Sequence, residues 1–180
     1  MKVLAAFWPF RPTRAEADAE KLVAAVTQIA RQPSFYGEAR VPDTLDGRLE
    51  VMMLHGGFAF IRMGAEADAA PLSQAFADKL FRHFDSGLRE AGVGDLAVPK
   101  RMQKLARSFY GRLDAYAGAL KSHDQASLEA ALARNIFAAD VSAAPFAGTL
   151  AAYAALNVAK QASAPLDALF RLDGWAEAPV

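Results

Sequence analysis

The stretch Pro99-Lys-Arg-Met-Gln-Lys-Leu-Ala-Arg-Ser-Phe-Tyr-Gly-Arg-Leu-Asp-Ala-Tyr-Ala-Gly-Ala-Leu-Lys121 decides the fold class. Met102, Leu105, Ala106, Phe109, Leu113, Tyr116, Ala117 and Leu120 recur at three- and four-residue intervals, which places them on one face of an α-helix. Strand alternation would put half of them in water. A one-sided helix needs apolar partners, so the rest of the chain must supply them. Ser122-His123-Asp124 breaks the run.

Helices of the same kind lie on either side. Arg14 to Arg31 carries Leu22, Val26 and Ile29 inward, with Glu16, Asp18, Glu20 and Lys21 outward, and Pro33 ends it. Leu49 to Met63 is apolar nearly all round, as expected of the most buried helix. Gly56 and Gly57 inside it predict a close helix crossing or a kink. A third helix runs to about Ala91 on Phe76, Leu80, Phe81, Phe84 and Leu88, and Gly92 suits a left-handed stop. A fifth reaches about Ala139 on Leu128, Leu132 and Ile136. Residues 145–161 form a sixth, and a short helical tail follows with Leu166, Leu169 and Phe170. Alanine makes up 41 of the 180 residues and β-branched residues are scarce, which argues the same way. The prediction is an all-α, compact single-domain bundle of six or more helices, with residues 14–180 as the helical domain and 1–13 as a tail.

Lys+Arg and Asp+Glu are 20 each, so no global pull toward DNA or other polyanions follows. The chain has no cysteine, which excludes disulfides, thiolate metal sites and thiol nucleophiles. Val3 to Phe10 is too short and too soon interrupted by Pro9, Arg11 and Pro12 for a secretory signal. It reads as a tail packed on the domain, or as an interfacial foot of Phe7, Trp8 and Phe10 beside Arg11 and Arg14. Ala143–Ala159, at the short limit for a span, carries Phe146, Leu150, Tyr153 and Asn157 at helical spacing and reads as a core helix.

Between the first two helices, residues 32–48 hold Pro33, Pro42, Gly37, Gly47, Asp43 and Asp46, which punctuate turns. Asp43 or Asp46 is expected to cap the next helix, with Arg48 open to a partner or an internal acid. The three histidines lie in three different elements. His55 reads as a buried neutral imidazole with one local hydrogen bond, and His83 and His123 as surface residues. None has a second ligand at metal-binding spacing, and Gly92-Val-Gly94 follows a helix where a dinucleotide loop follows a strand. No catalytic residue, metal, cofactor or small-molecule substrate is expected.

Charge is concentrated in one place. Lys100, Lys104 and Arg107 fall within a sector of about 60° opposite the apolar stripe of their helix. Arg101 and Arg112 flank it, and Asp114 is the helix's only acid. This face is either solvated and paired with neighbouring acids, or a docking surface for ribosomal RNA or an anionic membrane.

Arg31-Gln-Pro-Ser-Phe-Tyr36, Val41-Pro-Asp-Thr-Leu-Asp-Gly-Arg-Leu-Glu50 with Leu54-His55, Leu88-Arg-Glu-Ala-Gly-Val-Gly-Asp-Leu-Ala-Val98, Phe109-Tyr-Gly-Arg-Leu-Asp-Ala-Tyr116 and Leu132-Ala-Arg-Asn-Ile-Phe137 together resemble the ubiquinol–cytochrome c reductase assembly chaperones. The blocks occur in order over residues 30–140. The resemblance implies a non-enzymatic helical protein that binds newly made cytochrome b, with mitochondrial members working near the ribosomal tunnel exit. The chain lacks the long targeting extension of those members and so looks bacterial, acting in the cytoplasm at the inner membrane. Gly56-Gly57 stands where the family's bulky aliphatics would be usual. The partner surface expected on this basis joins the loop residues Phe35, Tyr36, Val41, Pro42, Asp43, Thr44, Asp46, Gly47 and Arg48 to Arg89, Glu90, Asp95, Lys100, Lys104, Arg107, Tyr110 and Arg112. The competing reading is a generic helical adaptor, or a small-ligand regulator with a cavity at His55.

Overall fold

The computed structural model describes residues 12–137 and 145–179. Six α-helices account for most of them: α1 (Arg14–Ala30), α2 (Leu45–Gly64), α3 (Ala70–Glu90), α4 (Val98–Lys121), α5 (Gln125–Ile136) and α6 (Pro145–Ser163). Short 3₁₀ turns follow at Leu166–Phe170 and Leu172–Gly174, and another, Pro33–Phe35, follows α1. Among the described residues the only β-type pairing is an isolated Tyr36–Val41 bridge. The all-α expectation stands. Phe7, Trp8 and Phe10, read above as a packed tail or an interfacial foot, and Ala139, the expected end of the fifth helix, lie outside the described residues.

α2 is the hub, touching α1, α3, α4 and α6, while α5 joins α4 to α6. Its residues 51–59 are buried without interruption, which fits its all-round apolar sequence. The glycine pair marks a crossing. A Cβ on Gly56 would lie 3.0 Å from Leu80 Cδ2 of α3 and 3.4 Å from Phe109 Cε2 of α4. A bulky aliphatic at this position would push those two helices away.

Local chemistry sets the helix ends. Thr13 caps α1 in a reciprocal capping box with Glu16. α3 ends in a Schellman motif: Gly92, at φ +81°, donates to the Arg89 carbonyl, and Val93 donates to that of Leu88. Arg62 of α2 closes the C-terminal end of α6, donating to the carbonyls of Gln161 at 2.8 Å and Ala164 at 3.0 Å. It takes up orphan acceptors and places a cation at the negative end of the helix dipole.

Candidate partner-binding surface

Two neighbouring regions carry the residues singled out above, and they differ in kind. The first is the loop before α2. Phe35 is fully buried with its ring edge-on to His55 and Tyr153, at centroid distances of 5.2 and 5.3 Å. The Tyr36 hydroxyl donates to the Ala30 carbonyl. Val41 is buried and donates its N–H to the Phe35 carbonyl, while Gly37 donates to that of Val41. Gly37 sits at φ +132°, where a side chain would be strained. Gly47 is held by contact, since a Cβ there would lie 2.0 Å from the Pro42 carbonyl oxygen. Phe35, Val41 and Gly47 therefore brace the loop from inside and are not available to a partner. Pro42, Asp43, Thr44, Asp46 and Arg48 are exposed.

Neither predicted aspartate caps the helix. α2 begins at Leu45, a turn earlier than the apolar run indicates, and its cap is Thr44, whose Oγ1 accepts from the Gly47 N–H at 3.1 Å. Asp43 instead accepts from Arg48 Nε at 2.6 Å and Nη2 at 3.1 Å. The Arg48 guanidinium lies over the Tyr36 ring, 5.4 Å from its centroid. Asp46, in the first turn, binds Arg101 of α4.

The second region is α4 and what it packs against. Only Val98, Phe109, Tyr116 and Ala119 of this helix are buried; Met102, Leu105, Leu113 and Leu120 of the stripe are half-covered. A cleft of about 470 Å³ between α2, α3 and α4 accounts for part of this, with Leu49, Met53, Leu88 and Leu105 as its apolar floor. Asp46, Glu50, Arg101, Lys104 and Arg112 form its walls. Arg112 binds Glu50 bidentately, Nε to Oε2 at 2.7 Å and Nη2 to Oε1 at 2.6 Å, with both side chains 17% exposed. Burial pushes the Glu50 carboxyl up to about 6, outweighing the attraction of Arg112 that acts to lower it.

The five positives of α4 singled out above thus divide. Arg101 and Arg112 are held by acids of α2. Lys100, Lys104 and Arg107 are exposed and make no ion pair among the described residues. Arg89 ties Asp85 of its own helix to Asp95 of the following turn, which fixes the approach to α4. Glu90 is exposed, and Tyr110 is 52% exposed beside Phe81 and Phe109. Sequence reading missed Glu50 and the cleft floor, because residues that pair over 62 positions leave no periodic signal.

His55 belongs to neither region. It is 0% exposed and walled by Phe35, Phe58, Tyr153 and Trp175. Its Nδ1–H donates to the Val51 carbonyl and its Nε2 accepts from the Tyr153 hydroxyl, each at 2.7 Å. That is one bond more than expected, and the second staples α2 to α6. Burial pushes the imidazole down to about 4, so it is neutral at pH 7. His123 is exposed as expected, but His83 is half-buried. Among the described residues no three His, Asp or Glu side chains gather to hold a metal ion, and no helix is long and apolar enough to cross a membrane.

An all-α scaffold thus carries a braced loop, an amphipathic cleft and a basic row that makes no ion pair among the described residues. Residues 38–173 match the ubiquinol-cytochrome C chaperone family, and the chain belongs to it. It is also similar to the crystal structure of the Cbp3 homolog from Brucella abortus, with 40% sequence identity, 91% of each chain covered and a TM-score of 0.79. A search of curated protein sequences gave no match.

Proposed function

We propose that this protein is an assembly chaperone for ubiquinol–cytochrome c reductase, that its client is newly made cytochrome b, and that it acts by binding rather than by catalysis. The observation that carries the proposal is the family match over residues 38–173, and the likeness to the Cbp3 homolog over 91% of both chains supports it. The surface fits the task. A polytopic membrane protein caught during assembly exposes apolar segments with charged ends. The 470 Å³ cleft offers an apolar floor with acids and bases in its walls. Asp46, in the first turn of α2, lines it, and Lys100, Lys104 and Arg107 extend the surface along α4. The same basic row suits the anionic inner-membrane surface where the client inserts, which supports peripheral binding there as part of the proposal.

The test is a pull-down with the tagged full chain from detergent-solubilised membranes, followed by the b-type haem spectrum and peptide identification of the eluate. Recovery of cytochrome b well above a tag-only control is expected. Its absence under conditions that preserve the assembled cytochrome bc complex overturns the proposal.

A further inference from the structure

We infer that the pocket between the end of α1, the start of α2 and the C-terminal part of α3 is a socket for one apolar side chain of a partner polypeptide, with a neighbouring carboxylate held at its mouth. The inference deepens the proposed client binding and rests on it. Size is the first argument. The pocket measures about 140 Å³, with Leu45, Leu49, Met52 and Phe84 among its lining. An apolar cavity of about 150 Å³ is enough to hold a benzene ring, so this one takes a single phenyl or isobutyl group.

The mouth supplies the second argument. Arg31, Arg48 and His83 surround it. Arg31 makes no ion pair among the described residues, and the His83 ring makes no hydrogen bond among them. Arg48 commits Nε and Nη2 to Asp43 and keeps Nη1. Burial, helped by the charge of Arg31, lowers the His83 pKa and keeps the ring neutral at pH 7, with one N–H to donate. Arg31, the remaining Nη1 of Arg48 and the His83 N–H around an apolar hole match a carboxylate beside an apolar group. Asp43 is already engaged, and Glu90, whose charge His83 also feels, is exposed about two turns further along α3.

The third argument separates a polypeptide from a free acid. One side chain in such a socket is worth roughly ten- to a hundredfold in affinity, too little to hold a small molecule tightly. Leu49 lines both this socket and the larger cleft, so a chain lying across α2 reaches both. The socket then acts as one anchor among several contacts.

Gly87 makes the inference testable. It lines the pocket, and a Cβ added there meets nothing within 4 Å. Gly87→Leu therefore adds an isobutyl group at the socket's wall without a Cβ clash, while improving helix propensity. The ¹⁵N-labelled full chain is titrated with N-acetyl-L-phenylalanine, which joins one phenyl group to one carboxylate. Amide shifts at Ala30, Leu49, Met52 and Gly87 should saturate in the millimolar range, vanish in Gly87→Leu and weaken severalfold in Arg31→Ala. No shifts at 50 mM, or unchanged shifts in Gly87→Leu, overturn the socket. In the pull-down, Gly87→Leu should recover about tenfold less cytochrome b than the parent. Equal recovery, or micromolar binding of the free acid, overturns the assignment to a polypeptide anchor. If the parent recovers no cytochrome b while the probe binds as described, the client proposal fails and the socket stands.

Discussion

Toward α6, α2 presents His55 to Tyr153 within a wall of aromatic rings; toward α4 it presents Glu50 to Arg112 and Asp46 to Arg101 at the edge of an open cleft. On the first side every polar atom of the imidazole is bonded and nothing reaches solvent. On the second the ion pairs are partly wet and apolar side chains remain half-covered. The first arrangement holds the fold together, and the second leaves a surface to present. Buried polar groups stabilise when fully partnered, whereas partly exposed ion pairs contribute little and can be rearranged around a client.

The largest effects should come from the closed side. Phe35→Ala empties a fully buried aromatic site against His55 and Tyr153, and should cost about 3–5 kcal/mol in denaturant unfolding. The same truncation at half-exposed Tyr110 should cost far less. Similar losses at the two sites would erase the contrast.

The two sides should also titrate with opposite sign. His55 is held at about 4 in the folded chain against an ordinary 6.5, so its contribution is full above pH 6.5 and is lost as pH falls toward 4, by about 3 kcal/mol. Glu50 is raised from 4.5 to about 6. Its contribution is full below pH 4.5 and is lost as pH rises through 6, by about 2 kcal/mol. Between pH 4.5 and 6 the two oppose each other. Glu50→Gln removes one of them, so its stability should fall more steeply on acidification than that of the parent. Parallel curves would show that Glu50 is not in the environment described.

A smaller effect is expected at Gly47, in the first turn of α2. Gly47→Ala drives a methyl into the Pro42 carbonyl and should cost about 1–3 kcal/mol, the usual range for overpacking. Thermal melts compared with Gly64→Ala, where a Cβ meets nothing within 4 Å, would isolate the contact.

The buried core was largely legible in the sequence. Leu22, Val26, Phe76, Leu80, Phe84, Leu150 and Tyr153 sit at helical spacing and are buried as periodicity requires. The open side was half legible. The stripe of α4 identifies the helix, but periodicity cannot say whether a stripe is covered, because that depends on how neighbouring helices are spaced. Lys100, Lys104 and Arg107 were visible as a charged sector, yet only the packing of α2 shows that Arg101 and Arg112 are spoken for. Thr44 was passed over as a cap because the apolar run starts a turn later, at Leu49. Asp46 then looked like the terminal residue, although it lies inside the helix.

The smallest effect on stability should accompany a large one on binding. Reversing Lys100, Lys104 and Arg107 to Glu touches no ion pair among the described residues and should change unfolding by about 0.5 kcal/mol or less. Binding to vesicles containing anionic lipid should be lost in a co-flotation assay, with neutral vesicles unaffected. Unchanged flotation at low salt would return this row to a solvated face.

Membranes of a strain lacking the gene test the central claim most directly, through their b-type haem spectrum and quinol–cytochrome c reductase activity. Both should fall together while other respiratory complexes remain, and the intact gene should restore them. Normal b-type spectra and normal reductase activity in the deletion strain would contradict the account.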